Sequence, residues 1–141
     1  MLRAPEVILG GPWGPPADIW NLGAVLLEVL DAVQMFDGRA SETGGIYQTK
    51  HHLEDMEALF RPFPSQLLVQ DDQTIVAEYF DEHGKVRDPV TRPTSILENW
   101  IEGLHDDDKK EFVMLIRSMM KINPNDRKPA REYVDKAWLR H

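Results

Sequence analysis

The stretch Asp18 to Leu30, DIWNLGAVLLEVL, constrains the chain more than any other. Apolar residues Ile19, Trp20, Leu22, Ala24, Val25, Leu26, Leu27, Val29 and Leu30 surround it on every side, broken only by Asn21, Gly23 and Glu28. A helix apolar all round belongs in the middle of a domain. It is too short and too often interrupted to span a bilayer, which takes about 20 predominantly apolar residues. Pro15 and Pro16 stand just before it. Proline is tolerated at a helix start, where the first N–H groups have no intrahelical partner. The expectation is a buried central helix from about Pro16 to Val33, with other helices packed around it.

The remaining pattern is helical too. Gly10 to Pro16, GGPWGPP, is a loop, and 37–49 is small and polar, a surface loop. A second helix is expected from about Lys50 to Phe60, with Leu53, Met56, Leu59 and Phe60 on one face. Arg61-Pro62-Phe63-Pro64 ends it. Gln66 to Phe80 holds a further short helix, and Glu82 to Lys85 is a turn inside a polar connection, 81–93. Ser95 and Glu98 fit a capping box opening a helix to about Gly103. Asp106 to Asp108 put negative charge at the positive end of a helix over about Asp107 to Ile122. In that helix Phe112, Leu115, Ile116 and Met119 recur at i, i+3, i+4 and i+7. Asn123-Pro124 stops it, and Pro129 suits the first turn of a last helix reaching about Trp138. The fold class expected is mainly α, with long ordered loops and no convincing strand pair.

Composition narrows function mostly by exclusion. The 141 residues suffice for one domain with a real core, and 42% hydrophobic with 28% charged is a globular balance. A net charge of −8 argues against nucleic acid, which needs a clustered basic face, and would suit a basic protein partner. The absence of cysteine excludes disulfides, thiolate metal sites and cysteine nucleophiles, and fits an intracellular protein, cytoplasmic or nuclear. No run resembles a signal peptide or membrane span, so no membrane partner is expected.

Residue chemistry alone assembles no catalytic set. His51 and His52 are adjacent, about 100° apart on a helix, and cannot share a metal as an i, i+4 pair would; a surface pair is the expectation. The run Asp106 to Asp108 lacks the alternating oxygen ligands of a calcium loop. Gly10, Gly11 and Gly14 are not followed by the Lys-Ser or Lys-Thr of a phosphate loop. Trp13, Trp20, Trp100 and Trp138 are scattered, each read as core or rim.

Four features gain meaning from their order: Arg3-Ala4-Pro5-Glu6-Val7, then Asp18-Ile19-Trp20-Asn21-Leu22-Gly23, then Asn123 to Pro129 (NPNDRKP), then Ala137-Trp138-Leu139. Together they resemble the C-terminal lobe of a eukaryotic protein kinase, from the end of the activation segment to the last helix. The resemblance covers essentially the whole chain. It implies that Pro5 and Glu6 belong to the Ala-Pro-Glu motif, and that Glu6 forms a buried ion pair with Arg127. It implies that Asp18 accepts hydrogen bonds from a catalytic loop, that Trp20 is structural, and that Leu2, Arg3 and Ala4 are the remnant of a substrate pocket. A helix-start carboxylate is the alternative for Asp18, and solvated surface charge the alternative for Glu6 and Arg127.

The Arg-Ala-Pro-Glu form and the insert after the second helix, including Leu53 to Phe60, Pro62 to Leu68 and Glu78 to Lys85, are similar to the CMGC group and its SR-protein kinase branch with fungal relatives. That branch phosphorylates serine in Arg/Ser-rich proteins and docks them in a groove near this insert. Full-length members use ATP and Mg. The glycine-rich loop, the strand lysine, His-Arg-Asp and Asp-Phe-Gly that serve them do not occur among residues 1–141. Hence no cofactor is expected for this chain, and the resemblance implies a partial kinase domain over 1–141, catalytically incompetent by itself. The alternative is a non-catalytic, pseudokinase-like interaction module. Without a catalytic loop against the central helix, apolar surface at Ile19, Trp20 or Val25 is expected to stand uncovered.

Overall fold

A computed structural model describes residues 3–30, 46–89 and 96–135. Its elements are helices α1 (Pro5–Ile8), α2 (Pro15–Val29), α3 (Thr49–Phe60), α4 (Ser65–Gln70), α5 (Gln73–Tyr79), α6 (Leu97–Trp100) and α7 (Asp106–Met119), then 3₁₀ turns at Pro124–Asp126 and Ala130–Glu132. Among the described residues there is no strand; one isolated antiparallel bridge joins Phe80 and Val86. The architecture is mainly helical, as the periodicity predicts.

Helix α2 is the hub. It starts at Pro15-Pro16 and its last turn closes with Leu30 N–H on the Leu26 carbonyl. It packs on α7 and on the 124–126 turn. Ala17, Ile19, Trp20, Ala24 and Leu27 are buried. Gly23 permits a close crossing, since a Cβ there would lie 2.7 Å from Met120 Cγ. Trp20 meets the ring of Phe60 edge-on at 5.5 Å, which ties α2 to α3. Helix α7 buries Phe112, Leu115, Ile116 and Met119, the stripe its spacing predicts. Asp106 to Asp108 fill its first turn, where the dipole favours carboxylates.

Burial corrects part of the reading of α2. Ile19 and Trp20 are covered, whereas Leu22, Val25 and Val29 are exposed by 49%, 41% and 71%. With Asp18 these lie at i, i+4, i+7 and i+11, one stripe along the helix. The uncovered apolar surface is therefore on that stripe and not at Ile19 or Trp20. Residues 31–33, placed at the end of this helix by its apolar pattern, lie outside the described residues.

The insert folds as two helices, not one. Gln70 ends α4; the Gln73 amide donates to the Leu68, Val69 and Asp71 carbonyls, and Asp72 caps α5 by accepting from Thr74 and Ile75 N–H. Such local side-chain bonds compete with a continuous helix. Phe63 and Phe80 stack edge-on at 5.0 Å beside Leu67, Leu68 and Val86, a small core of its own. In the 82–85 turn, the Asp81 carboxylate accepts from His83 and Lys85 N–H. Helix α6 stops at Trp100 instead of Gly103 and its N-cap is Ile96. Ser95 of the expected capping box lies outside the described residues, and Glu98 pairs instead with Arg117 on α7 at 3.1 Å. After Pro129 the chain forms a 3₁₀ turn and not the start of an α-helix; 136–138 lie outside the described residues.

Candidate functional site

Arg127 sits in the extended residue after the 124–126 turn, which Asn123 caps by accepting from Asn125 N–H. From there its side chain runs inward, with no exposed surface. All five guanidinium N–H donors are used. Nη1 donates to Glu6 Oε1 at 2.7 Å and to the Pro16 carbonyl at 2.9 Å. Nη2 donates to Glu6 Oε2 at 2.9 Å and to the Ile122 carbonyl at 3.2 Å; Nε donates to the Lys121 carbonyl at 2.8 Å. The guanidinium carbon lies 5.2 Å from the centroid of the Trp20 ring, a cation–π contact. One side chain thus fastens α1, the start of α2 and the end of α7, across 121 residues of sequence to Glu6. Helix α1 presents Glu6 because Pro5 opens it and Leu9 N–H closes it on the Pro5 carbonyl. Ala4 is fully buried, Arg3 is exposed, and Leu2 lies outside the described residues.

Beside this pair lies a group the sequence reading passed over. Asp71 follows α4, is only 5% exposed, and neither carboxylate oxygen has a hydrogen-bond partner among the described residues. It presses against Gly11, where a Cβ would come within 1.9 Å of its Oδ1. Burial, and then the neighbouring Glu6 charge, push its pKa up to about 7. The Asp71-Asp72 doublet was the available signal: one carboxylate caps α5, leaving the other to account for.

The structure also corrects the histidine pair. His51 and His52 are buried, not on the surface. His51 Nδ1 lies 3.1 Å from Glu54 Oε2, and His52 Nδ1 lies 3.0 Å from the Tyr47 hydroxyl. Each bonds a different partner, and both are covered. Among the described residues no cluster of three or more His, Cys, Asp or Glu is placed to hold a metal. Of the tryptophans, Trp20 is core, Trp13 is 72% exposed, Trp100 is half-exposed, and Trp138 lies outside the described residues. Asp18 stands exposed on the first turn of α2 at the head of the open stripe.

A cavity of about 470 Å³ lies between the start of α3 and the insert, lined by Lys50, Glu78, Tyr79, Arg87 and Asp88 among others. Two cations and two carboxylates face it, so it carries no single sign of charge. The Lys50 ammonium donates to the Asp88 carbonyl across it. Among the described residues no helix is long and apolar enough to cross a membrane.

The protein kinase domain model matches residues 2–139. A serine/threonine protein kinase of Aspergillus fumigatus is 34% identical over 137 residues, covering 97% of this chain and 34% of that protein. Serine/threonine-protein kinase AFC2 of Arabidopsis thaliana is 29% identical over 140 residues, 92% of this chain and 30% of its own length. Dual specificity protein kinase CLK4 of Homo sapiens is 29% identical over 132 residues, 89% and 25% respectively. The chain therefore spans a quarter to a third of the length of these relatives. In fold it is similar to the crystal structure of the PF14_0431 kinase domain, with a TM-score of 0.75 and 23% identity over 98% of this chain and 40% of that one.

Proposed function

The chain belongs to the protein kinase domain family, and from that premise we propose that residues 1–141 form the C-terminal helical lobe of a Ser/Thr kinase, a partial kinase domain. The finer reading is a CMGC-type, SR-protein kinase-like branch with fungal relatives. The observation that carries the lobe reading is the buried Glu6–Arg127 pair, which joins the Ala-Pro-Glu segment to the far end of the lobe. In this reading the stripe of Asp18, Leu22, Val25 and Val29 is the bed for a catalytic loop, and Asp18 is the acceptor for its backbone N–H groups. Arg3 and Ala4, with Leu2, form a wall of the substrate pocket. The protein substrate is basic, which suits a net charge of −8, and the setting is intracellular, cytoplasmic or nuclear.

Phosphoryl transfer is mostly positioning and charge stabilisation around the transferring group. Residues 1–141 hold none of the family's ATP-binding or Mg-binding residues, so the groups present fit neither cofactor. This stretch alone is catalytically incompetent. The test is a labelled-ATP incorporation assay on the purified 141-residue chain with Mg and an Arg/Ser peptide: no turnover is expected, and turnover abolished by EDTA would overturn the incompetence. Sequencing the transcript upstream of the Met1 codon tests the lobe reading. An open frame encoding His-Arg-Asp and Asp-Phe-Gly supports a complete kinase; stop codons there would favour a non-catalytic interaction module.

A further inference from the structure

Asp71 lies in a seam between two parts of the chain: the exit of α1, residues 9–11, and the junction of α4 and α5, residues 71–72. Across this seam the Asp72 N–H donates to the Leu9 carbonyl at 3.0 Å. Gly10 takes φ +68°, and a Cβ there would lie 3.1 Å from Asp72 Cβ; at Gly11 a Cβ would run into Asp71 Oδ1. The Asp71 carboxylate is thus sealed against this backbone, with neither oxygen bonded among the described residues. No positive charge balances it. Glu6 on α1 faces it with the same sign. Arg127 uses all five donors on Glu6 and on the Lys121, Pro16 and Ile122 carbonyls. Asp72 adds a second negative charge, held by N–H groups of α5. The side chains beside Asp71 from the 12–16 loop and the 124–126 turn are neutral, Trp13 and Asn125 among them. A buried carboxyl in such surroundings keeps its proton.

The insert is built to part from the lobe along this seam alone. Helices α4 and α5 pack on each other, and the main helix pairs of the lobe, α1 with α3, α2 with α7 and α6 with α7, include neither. The small core around Phe63 and Phe80 belongs to the insert and stays whole when the seam opens. The opposite edge of the insert is held on α3, by the Lys50 ammonium on the Asp88 carbonyl and by the Val86 N–H on the Glu57 carboxylate. Helix α1 is fastened independently, through Glu6 to Arg127. A contact of this kind opens as a local unit while the rest of the fold persists.

We propose that the seam is a proton-operated latch: protonated Asp71 holds the α4–α5 insert against the exit of α1, and loss of that proton opens the seam locally while Arg127 keeps α1 in place. The helix that carries Glu6 therefore has two clasps, one permanent and one that responds to pH. In the closed state burial and the Glu6 charge push the Asp71 carboxyl up to about 7; in the open state it is solvated and returns to the ordinary 3.8. The closed latch is at full strength below the ordinary value and weakens as pH rises from there to about 7, because only the open state then gives up its proton freely. Every contact in the latch lies within this chain, so it stands or falls separately from the kinase-lobe reading.

The test is native-state hydrogen exchange of the full 141-residue chain, read by ¹H–¹⁵N NMR and corrected for the intrinsic pH dependence of exchange. The reporter is the Asp72 amide, bonded across the seam to the Leu9 carbonyl; the reference is the Met120 amide at the end of α7, bonded to the Ile116 carbonyl. The opening constant at Asp72 should rise at least about tenfold from pH 5 to pH 7.5. It should hardly respond to low concentrations of urea, whereas Met120, which exchanges through global unfolding, should respond steeply. Asp71→Asn should abolish the rise at Asp72. A second measurement needs no variant, in case Asp71→Asn fails to fold: the side-chain carboxyl ¹³C resonance of Asp71 should titrate near pH 7. A pH-independent opening at Asp72, a urea response there equal to that of Met120, the same rise in Asp71→Asn, or titration of Asp71 in the ordinary carboxylate range would each overturn the latch.

Discussion

Replacing Glu6 by Ala strands a buried guanidinium. Two charge-assisted hydrogen bonds, at 2.7 and 2.9 Å, disappear together, at about 1.5–3 kcal/mol each. The three backbone carbonyls remain on Arg127, but no carboxylate balances the charge of a side chain that has no exposed surface in the native protein. Breaking one partner of a buried pair costs about 3–5 kcal/mol, which agrees with the bond-by-bond figure. Against a whole-domain stability of about 5–15 kcal/mol, that lowers the folded-to-unfolded ratio by about two to three and a half orders of magnitude, at about 1.4 kcal/mol per tenfold. Urea unfolding followed by tryptophan fluorescence measures the change, and a double-mutant cycle with Arg127→Ala isolates the coupling. The exposed Lys110–Asp107 pair, at 3.0 Å, is the internal control; its removal should cost below about 1 kcal/mol. If Glu6→Ala also costs under about 1 kcal/mol, or the cycle shows no coupling, the pair does not fasten the lobe and the argument fails.

Three further outcomes are open to direct measurement. Asp71 has a folded pKa of about 7 against an ordinary 3.8, so the native state retains a proton that the unfolded chain loses; its effect on stability is absent below about pH 4 and grows as pH rises to about 7. Thermal melts across pH 4–8 should show this fall, and Asp71→Asn should flatten it; the same slope in both proteins would refute the assignment. Gly11→Ala drives a Cβ to 1.9 Å from Asp71 Oδ1 and should destabilise by about 1–3 kcal/mol, with most of the loss recovered in Gly11→Ala/Asp71→Ala; additive losses would show that the contact is not the cause. Arg61 caps α3 at φ 87° and ψ 169°, a conformation that costs a side chain about 1–3 kcal/mol, so Arg61→Gly should raise the urea midpoint, and an unchanged or lower midpoint counts against the strain.

The residues themselves determined the helical class, the position of α2, α3 and α7, and the punctuation between them. These rest on local physics: proline that cannot donate, apolar spacing at 3.6 residues, carboxylates at a helix start. The stripe of Phe112, Leu115, Ile116 and Met119 was legible for that reason. So were both members of the Glu6–Arg127 pair, but only through the order of the short motifs around them; nothing local to either residue sets it apart from surface charge.

The tertiary structure decided what depends on distant parts of the chain. Apolar residues all round α2 are compatible with burial on any side, and only the packing of α7 and α3 shows that Trp20 is covered and Val29 is not. His51 and His52 look like a polar surface pair because their bonding partners Glu54 and Tyr47 are local; only packing from elsewhere in the chain buries both. Arg127 takes three of its five acceptors from backbone carbonyls, which no side-chain pattern records. Asp71 is the extreme case, since its burial arises from a loop some 60 residues earlier pressing Gly11 against it. Periodicity describes a segment's own geometry; burial and charge balance belong to whatever segment arrives opposite it.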